Sequence, residues 1–141
     1  MAIQELYNEN KGFAPLLITE QWQLAQLNYS REQSPGEIKE LEMHLNTDET
    51  FTLLEGKAFL IAANEIENLE MIWLKKGRTY NIPKGVWHNI AMMEESSVLI
   101  AENANTHVAE KPICALPVSV QKKIQKFGQV GGLTNERNDI A

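Results

Sequence analysis

Hydrophobic and polar positions along most of the chain follow the short, alternating pattern that is typical of β-strands. Helical periodicity is scarce before residue 117, and turn residues such as Ser34-Pro35-Gly36 and Pro83-Lys84-Gly85 separate the apolar runs. The run Ala58-Phe59-Leu60-Ile61-Ala62 is apolar at every position, as expected for a strand buried on both faces. The predicted strands are 15–19, 22–24, 27–29, 38–44, 49–54, 58–62, 69–74, 78–82, 87–92 and 97–101. Many short strands at this spacing predict an all-β barrel or sandwich.

The period of the pattern changes near the C-terminus. Val120, Ile124 and Phe127 fall on one face of a helix, Ser119 is a suitable N-cap, and Gly128 is a suitable end. These positions predict a short C-terminal helix that packs on the outside of the barrel. We find no internal repeat and no linker, so we expect one domain over residues 1–128, followed by a polar, flexible tail over 129–141.

Composition narrows the function classes. The chain has 141 residues, enough for one continuous core, and 43% hydrophobic and 23% charged residues, as in soluble globular proteins. The net charge of -6 argues against binding to nucleic acid, which requires a clustered positive surface. The densest basic stretch, Lys122, Lys123 and Lys126, has the spacing of one solvated helix face.

The sequence also indicates a compartment. Cys114 is the single cysteine and lies among apolar residues, so we interpret it as a small buried side chain in a reducing environment. The N-terminal residues lack the basic and apolar segments of a signal peptide, and no apolar run is long enough to cross a bilayer. We therefore expect a cytoplasmic protein with no membrane partner.

Four ionisable residues stand among apolar positions of the predicted strands. Glu42 and His44 are two residues apart and point to the same face of one strand, while Glu49 and His88 each share a parity with apolar neighbours. Buried ionisable groups are costly unless they are paired or bound to metal. Two imidazoles and two carboxylates suit a divalent metal such as Zn, Fe, Mn or Ni.

Other side chains are candidates for contact with a small organic ligand in the same cavity. Aromatic and apolar groups at these positions would stack on it or pack against it. The residues predicted to line the cavity are Phe51, Tyr80, Ile90 and Met92. We expect Trp87, on the parity opposite to His88, to face outward, and His107, in a loop after the last predicted strand, to be exposed.

Two stretches resemble the two sequence motifs of the cupin family. The first, Gly36-x5-Glu42-x-His44-x4-Glu49-x6-Gly56, is similar to the motif of glycine, five residues, His-x-His, three or four residues, glutamate, six residues and glycine. Glutamate stands here in place of the first histidine. The two glycines and the other two ligand positions are in register.

The second stretch, Gly77-x5-Pro83-x-Gly85-x2-His88, resembles the second cupin motif. That motif continues with three residues and an asparagine, where this sequence has Met92. The two stretches are separated by residues 57–76, and together they cover residues 36–92.

The resemblance implies an all-β fold, a double-stranded β-helix or jelly-roll barrel of six to eight strands, with a metal at its mouth. Carried over by position, the implied ligands are Glu42, His44, Glu49 and His88. A carboxylate also binds Mn, Fe or Zn, and two facing carboxylates repel each other unless one is protonated or a cation intervenes. For Glu42 three interpretations stay open: a position at the solvent rim, a hydrogen bond to His44, or metal ligation.

Three functions follow from this resemblance, and no residue is assigned a catalytic role. The first is a metal-dependent enzyme acting on a small polar metabolite, an isomerase, epimerase, decarboxylase or dioxygenase. The second is a non-catalytic cupin that binds a small molecule. The third is a metal-free sugar isomerase that uses His44 and His88 as acid and base. Small cupins also pair through exposed sheet edges, so we expect a homodimer formed by the N-terminal strands with Trp22 and Leu24.

Overall fold

The computed structural model describes the backbone of residues 2–140 and the side chains of residues 2–131, and it contains two facing antiparallel sheets. The strands are β1 (Gly12–Ile18), β2 (Trp22–Asn28), β3 (Glu40–Glu42), β4 (Glu49–Glu55), β5 (Ala58–Ala63), β6 (Glu70–Trp73), β7 (Thr79–Ile82), β8 (Trp87–Met92), β9 (Ser97–Asn103) and β10 (Ile113–Ala115). One sheet has the order β1-β2-β9-β4-β7 and the other β10-β3-β8-β5-β6. The predicted all-β, double-sheet barrel is confirmed, with ten strands in the described residues instead of six to eight.

A main core fills the space between the two sheets. Its buried side chains come from strands of both sheets, because each strand turns alternate residues inward. They are Ala25, Leu27, Phe51, Leu53, Ala58, Leu60, Leu74, Ile82, Ile90, Met92, Val98 and Ile100. This packing holds the two sheets at a fixed separation, so residues at the open end of the barrel are placed on a rigid frame.

A second core lies between the outer face of the β8–β5 sheet and the C-terminal helix α1 (Val118–Ile140). The strand β5 contributes Phe59 and Ile61 to this core, while Leu60 points into the barrel. The prediction that β5 is buried on both faces is therefore confirmed. Trp87 points away from the barrel interior, as predicted, and is half-buried against the second core of the same chain.

The helix packs through the predicted apolar face. Ile124 is fully buried, and Phe127 lies with its ring centroid 4.9 Å from that of Phe59 and 5.9 Å from that of Trp73. Gly128 does not end the helix, which continues to Ile140. The small residue serves close packing instead, since a Cβ atom there would lie 2.7 Å from the ring of Pro35. Ala141, the last residue of the predicted tail, lies outside the described residues.

We expect Gly128→Ala to destabilise the protein although alanine is the better helix former by about 1 kcal/mol. The added methyl group would meet the Cβ and Cγ atoms of Pro35 at 2.7 Å, and a proline ring has little freedom to move. Overpacking of this kind costs about 1–3 kcal/mol, which denaturant unfolding would detect. Gln129→Ala, at the exposed neighbouring position, is the matched control. A Gly128→Ala variant more stable than the wild type would contradict the close approach.

Two further points concern the edges of the sheets. The strand β10 was not predicted, and it pairs with β3 at the edge of its sheet. The expected interface lies on the N-terminal strands, and of these β2, which carries Trp22 and Leu24, lies between β1 and β9. The edge at this side is β1. The homodimer itself stays a prediction.

Two sequence-based expectations concern surface and environment. Cys114 is half-buried on β10, not fully enclosed, and its thiol lies 3.7 Å from the carbonyl oxygen of Ala115. Lys122, Lys123 and Lys126 are all exposed, as predicted for a solvated helix face. Among the helices that the structure describes, none has the length and apolar character needed to span a membrane.

Candidate metal centre

Both sheets contribute ionisable side chains to one end of the barrel. Glu42 ends β3, and its Cα atom is paired with that of His88 in β8. His44 follows β3, and its carbonyl oxygen accepts a hydrogen bond of 2.8 Å from the N–H group of Gly85. Gly85 has a φ of +82°, which favours glycine, so this turn fixes His44 beside the start of β8. Glu49 begins β4 in the other sheet and faces them.

The four predicted ligand residues converge. The Oε1 atom of Glu49 lies 2.7 Å from Nε2 of His88 and 3.2 Å from Nε2 of His44. One potential ligand atom from each of these residues and from Glu42 falls within 4.8 Å of the others. His44, Glu49 and His88 are buried, and Glu42 is half-buried. The structure thus brings together the whole set that the sequence singled out.

A backbone contact determines which nitrogen of His88 faces the cluster. Its Nδ1 atom lies 3.0 Å from the carbonyl oxygen of Val86. A carbonyl oxygen only accepts hydrogen bonds, so Nδ1 carries the hydrogen. In the metal-free protein Nε2 donates its hydrogen to the carboxylate of Glu49. When that proton is released, Nε2 presents its lone pair to the cluster, which is the arrangement that metal-binding histidines use.

A fifth ionisable residue, Glu102 of β9, lies in the same cluster and was missed. Its side chain is 2% exposed, and its Oε1 atom lies 3.9 Å from Nε2 of His44. The other oxygen, Oε2, accepts a hydrogen bond of 3.0 Å from Gln23. The predicted strand 97–101 ends two residues before the observed end of β9 at Asn103. A strand extended to Asn103 places Glu102 on the same inward face as Val98 and Ile100. This alternation was a signal in the sequence that could have identified Glu102.

The pKa values reflect this crowding. Burial disfavours ionised Glu49, but the hydrogen bonds and charges of His44 and His88 outweigh it and lower the pKa of Glu49 to about 2. Burial also opposes a charge on His88, yet the contact with Glu49 raises its pKa above the ordinary 6.5. For Glu102, burial and the negative charge of Glu49 act together and raise its pKa to about 7. The cluster therefore retains protons at neutral pH that isolated carboxyl groups would lose.

A cavity of about 290 Å³ opens above the cluster, a volume at the lower end of ligand pockets. Phe51 and Ile90 line it, whereas Tyr80 and Met92 do not. Met92 is fully buried in the main core. It lies on the same face of β8 as His88 and Ile90 but at the end of the strand away from the cluster. Tyr80 is on the edge strand β7 and lines a separate groove. The structure thus places these two predicted side chains outside the lining of this cavity.

The rim of the cavity carries charge. Glu42 is a rim residue, and its Oε2 atom lies 3.3 Å from Nζ of Lys111 in an ion pair that the sequence did not predict. His107 was expected to be exposed, but it is half-buried and lines the cavity, with its ring 5.6 Å from that of Phe13. His107 belongs to a short 3-10 helix over Thr106–Val108, which follows β9 and lies at the opening of the cavity.

No protein-family model matches the chain, and no curated protein is significantly similar to it. Among solved structures, a cupin-2 domain containing protein from Shewanella frigidimarina NCIMB 400 superposes with a TM-score of 0.51 and 24% identity, over 69% of this chain and 84% of that one. The chain has the cupin fold.

The chain also superposes on two other solved structures. BH2720 from Bacillus halodurans has a TM-score of 0.57 at 16% identity, over 76% of this chain and 80% of that one. KdgF from Halomonas sp. has a TM-score of 0.55 at 14% identity, over 74% and 92% of the two chains. At these identities the likeness establishes the fold alone.

The donor set of this site fits a divalent metal. Two imidazole nitrogens and several carboxylate oxygens are the groups that bind Zn, Fe, Mn and related ions. The Oε1 atom of Glu102 is buried without a hydrogen-bond partner, and Glu102 is paired in register with a second carboxylate residue, Glu49. A cation would satisfy that oxygen and remove the repulsion, so His44, Glu49 and His88, with Glu42 at the rim, are suited to hold one.

Proposed function

We propose that this cupin binds a divalent transition metal through His44, Glu49, His88 and Glu42, and binds a small polar metabolite in the cavity above. The observation that carries the proposal is the approach of both Nε2 atoms to a single oxygen of Glu49, at 2.7 and 3.2 Å, in a buried cluster below an open cavity. Zn, Fe, Mn and Ni all suit these ligand types.

The cavity supports a small ligand with both apolar and polar parts. Phe51 and Ile90 form apolar wall, while Lys111 and Asn89 offer hydrogen-bond donors near the rim. The ammonium group of Lys111 favours a ligand with a negatively charged group, such as a keto acid. When bound, the metal would act as a Lewis acid towards a ligand oxygen, as in metal-dependent isomerases, epimerases and dioxygenases.

The test is metal content and metal affinity. We expect protein purified without added metal to contain a transition metal near one equivalent per chain by elemental analysis. After chelation, we expect Co(II) titration to produce a visible absorption band. A His44→Ala/His88→Ala double variant should lose the band, with an affinity at least about 100-fold lower, because both nitrogen ligands are removed.

His107→Ala is the matched control, since His107 lines the same cavity but does not belong to the ligand cluster. It should retain the metal. Wild-type protein that neither contains a transition metal nor binds Co(II) would contradict the proposal. In that case a metal-free role, binding or acid–base chemistry by His44 and His88, would account better for the cavity.

A further inference from the structure

A row of three polar residues crosses the inner face of one sheet at the candidate metal centre. Glu102 in β9 is paired in register with Gln23 in β2 on one side and with Glu49 in β4 on the other. All three residues are buried, with 0% of the whole-residue surface exposed for Gln23, 6% for Glu49 and 7% for Glu102. Two carboxylates directly opposite each other on a sheet are destabilising, so this row requires compensation.

In the described residues, no hydrogen-bond donor faces one oxygen of the ionised Glu102 side chain. Its Oε2 atom accepts the hydrogen bond from Gln23, but its Oε1 atom is buried and has no hydrogen-bond partner. A buried acceptor left unpaired carries its full desolvation cost, and the cost is larger for a charged group. The Nε2 atom of His44 lies 3.9 Å from this oxygen. The unpaired oxygen is therefore directed into the ligand cluster.

The orientation of Glu102 is fixed from behind by Gln23. The Oε1 atom of Gln23 accepts a hydrogen bond of 2.7 Å from the backbone N–H of Asn105. Because a backbone N–H only donates, the amide oxygen of Gln23 must point to Asn105 and its amide nitrogen to Glu102. This arrangement holds Oε2 of Glu102 away from the cluster and leaves Oε1 available to a cation.

We propose that Glu102 is a further oxygen ligand of the metal, with Oε1 as the donor atom, and that Gln23 is its positioning residue. The inference rests on the proposed metal-binding function and extends it. With Glu42 and Glu49, the centre then has three carboxylates beside two imidazoles. Such an oxygen-rich set favours Mn(II) or Fe(II) over four-coordinate Zn(II), because hard cations prefer carboxylate oxygen and tolerate more ligands.

The experiment compares Mn(II) and Zn(II) affinities by calorimetry in wild-type protein, Glu102→Gln and Gln23→Met. We expect Glu102→Gln to weaken Mn(II) binding about 10–100-fold and Zn(II) binding less, and Gln23→Met to weaken Mn(II) binding about 10-fold. Glu55→Gln, at an exposed position of β4, is the control and should bind both ions as the wild type does.

A second readout separates ligation from a structural role. Without metal, Glu102→Gln should melt at the same temperature as the wild type or higher, because the amide removes the repulsion with Glu49. A merely structural Glu102 would lose stability and affinity together, and that result would overturn the inference. Mn(II) affinity unchanged in Glu102→Gln, with metal bound by the wild type, would overturn this inference alone. A wild type that binds neither ion would overturn the proposed function as well.

Discussion

Replacing Glu49 by alanine is expected to lower the free energy of unfolding of the metal-free protein by about 3 kcal/mol at about pH 5. Glu49 is the carboxylate that contacts both buried imidazoles, at 2.7 Å from His88 and 3.2 Å from His44. Its removal leaves the charge of His88, whose pKa is raised by Glu49, buried without a counter-charge. The result lies at the low end of the range for broken buried pairs, because His88 can release its proton once the contact with Glu49 no longer raises its pKa.

Denaturant unfolding in the presence of a chelator measures this effect. Glu55→Ala, at an exposed position on the same strand, should change stability by less than about 0.5 kcal/mol. Glu49→Gln should lie between the two, since its amide oxygen still accepts one hydrogen bond. If Glu49→Ala were as stable as Glu55→Ala, the histidines would not depend on Glu49 for their charge balance.

The stability of the metal-free protein is expected to peak near pH 5 and to fall on both sides. Glu49 has a pKa lowered from 4.5 to about 2, so the unfolded state binds more protons between these values, and stability is lost as the pH falls through them. Glu102 has a pKa raised from 4.5 to about 7, so the folded state binds more protons there, and stability is lost as the pH rises. The loss of stability on each side of the maximum, the acid limb below and the alkaline limb above, amounts to at most about 3 kcal/mol.

The alkaline limb has a second contributor and a clear control. The pKa of His88 is raised above 6.5, so its contribution is present at lower pH and is lost as the pH rises through the raised value. Thermal melting of wild type and Glu102→Gln across about pH 3–9 would measure both limbs. Glu102→Gln should flatten the limb between about pH 4.5 and 7 and leave the acid limb intact. An unchanged alkaline limb in this variant would contradict the assignment.

Bound metal should reverse the alkaline trend. Metal ligands must be deprotonated, so metal affinity rises with pH in the range where the metal-free protein loses stability. The melting temperatures of the metal-bound and metal-free forms should therefore diverge above about pH 5. The difference between the two curves measures how far the cation replaces protons in the cluster.

The sequence predicted the barrel and most of the cluster for one physical reason. Glu49 and His88 belong to strands with clear alternation and lie near turn residues at fixed spacing, so local pattern alone indicates which way they point. The whole of β8 was predicted with its observed bounds, Trp87–Met92. Where burial alternates regularly, the period of a strand is enough to assign a face.

The residues that were missed or misplaced depend on contacts between distant segments. Glu102 was lost because the end of its strand was predicted too early, and Lys111 meets Glu42 only through the pairing of β10 with β3. Tyr80 has the expected parity, but its place on an edge strand puts it in another groove. A glycine at position 128 predicts a helix end, but its role is to allow the close approach of Pro35, which the local sequence does not show. None of these facts is encoded in a local window.

The strand β5 has a consequence for how the molecule unfolds. Phe59 and Ile61 belong to the core under the helix, Leu60 to the core inside the barrel, and Ala62 is paired in register with His88. Neither core can open without exposing one face of this strand. The helix layer and the ligand cluster therefore form one cooperative unit in the sense used for hydrogen exchange. A change that removes helix contacts and a change that removes a bound cation would therefore both lower the free energy of global unfolding, although the two regions lie on opposite faces of a sheet.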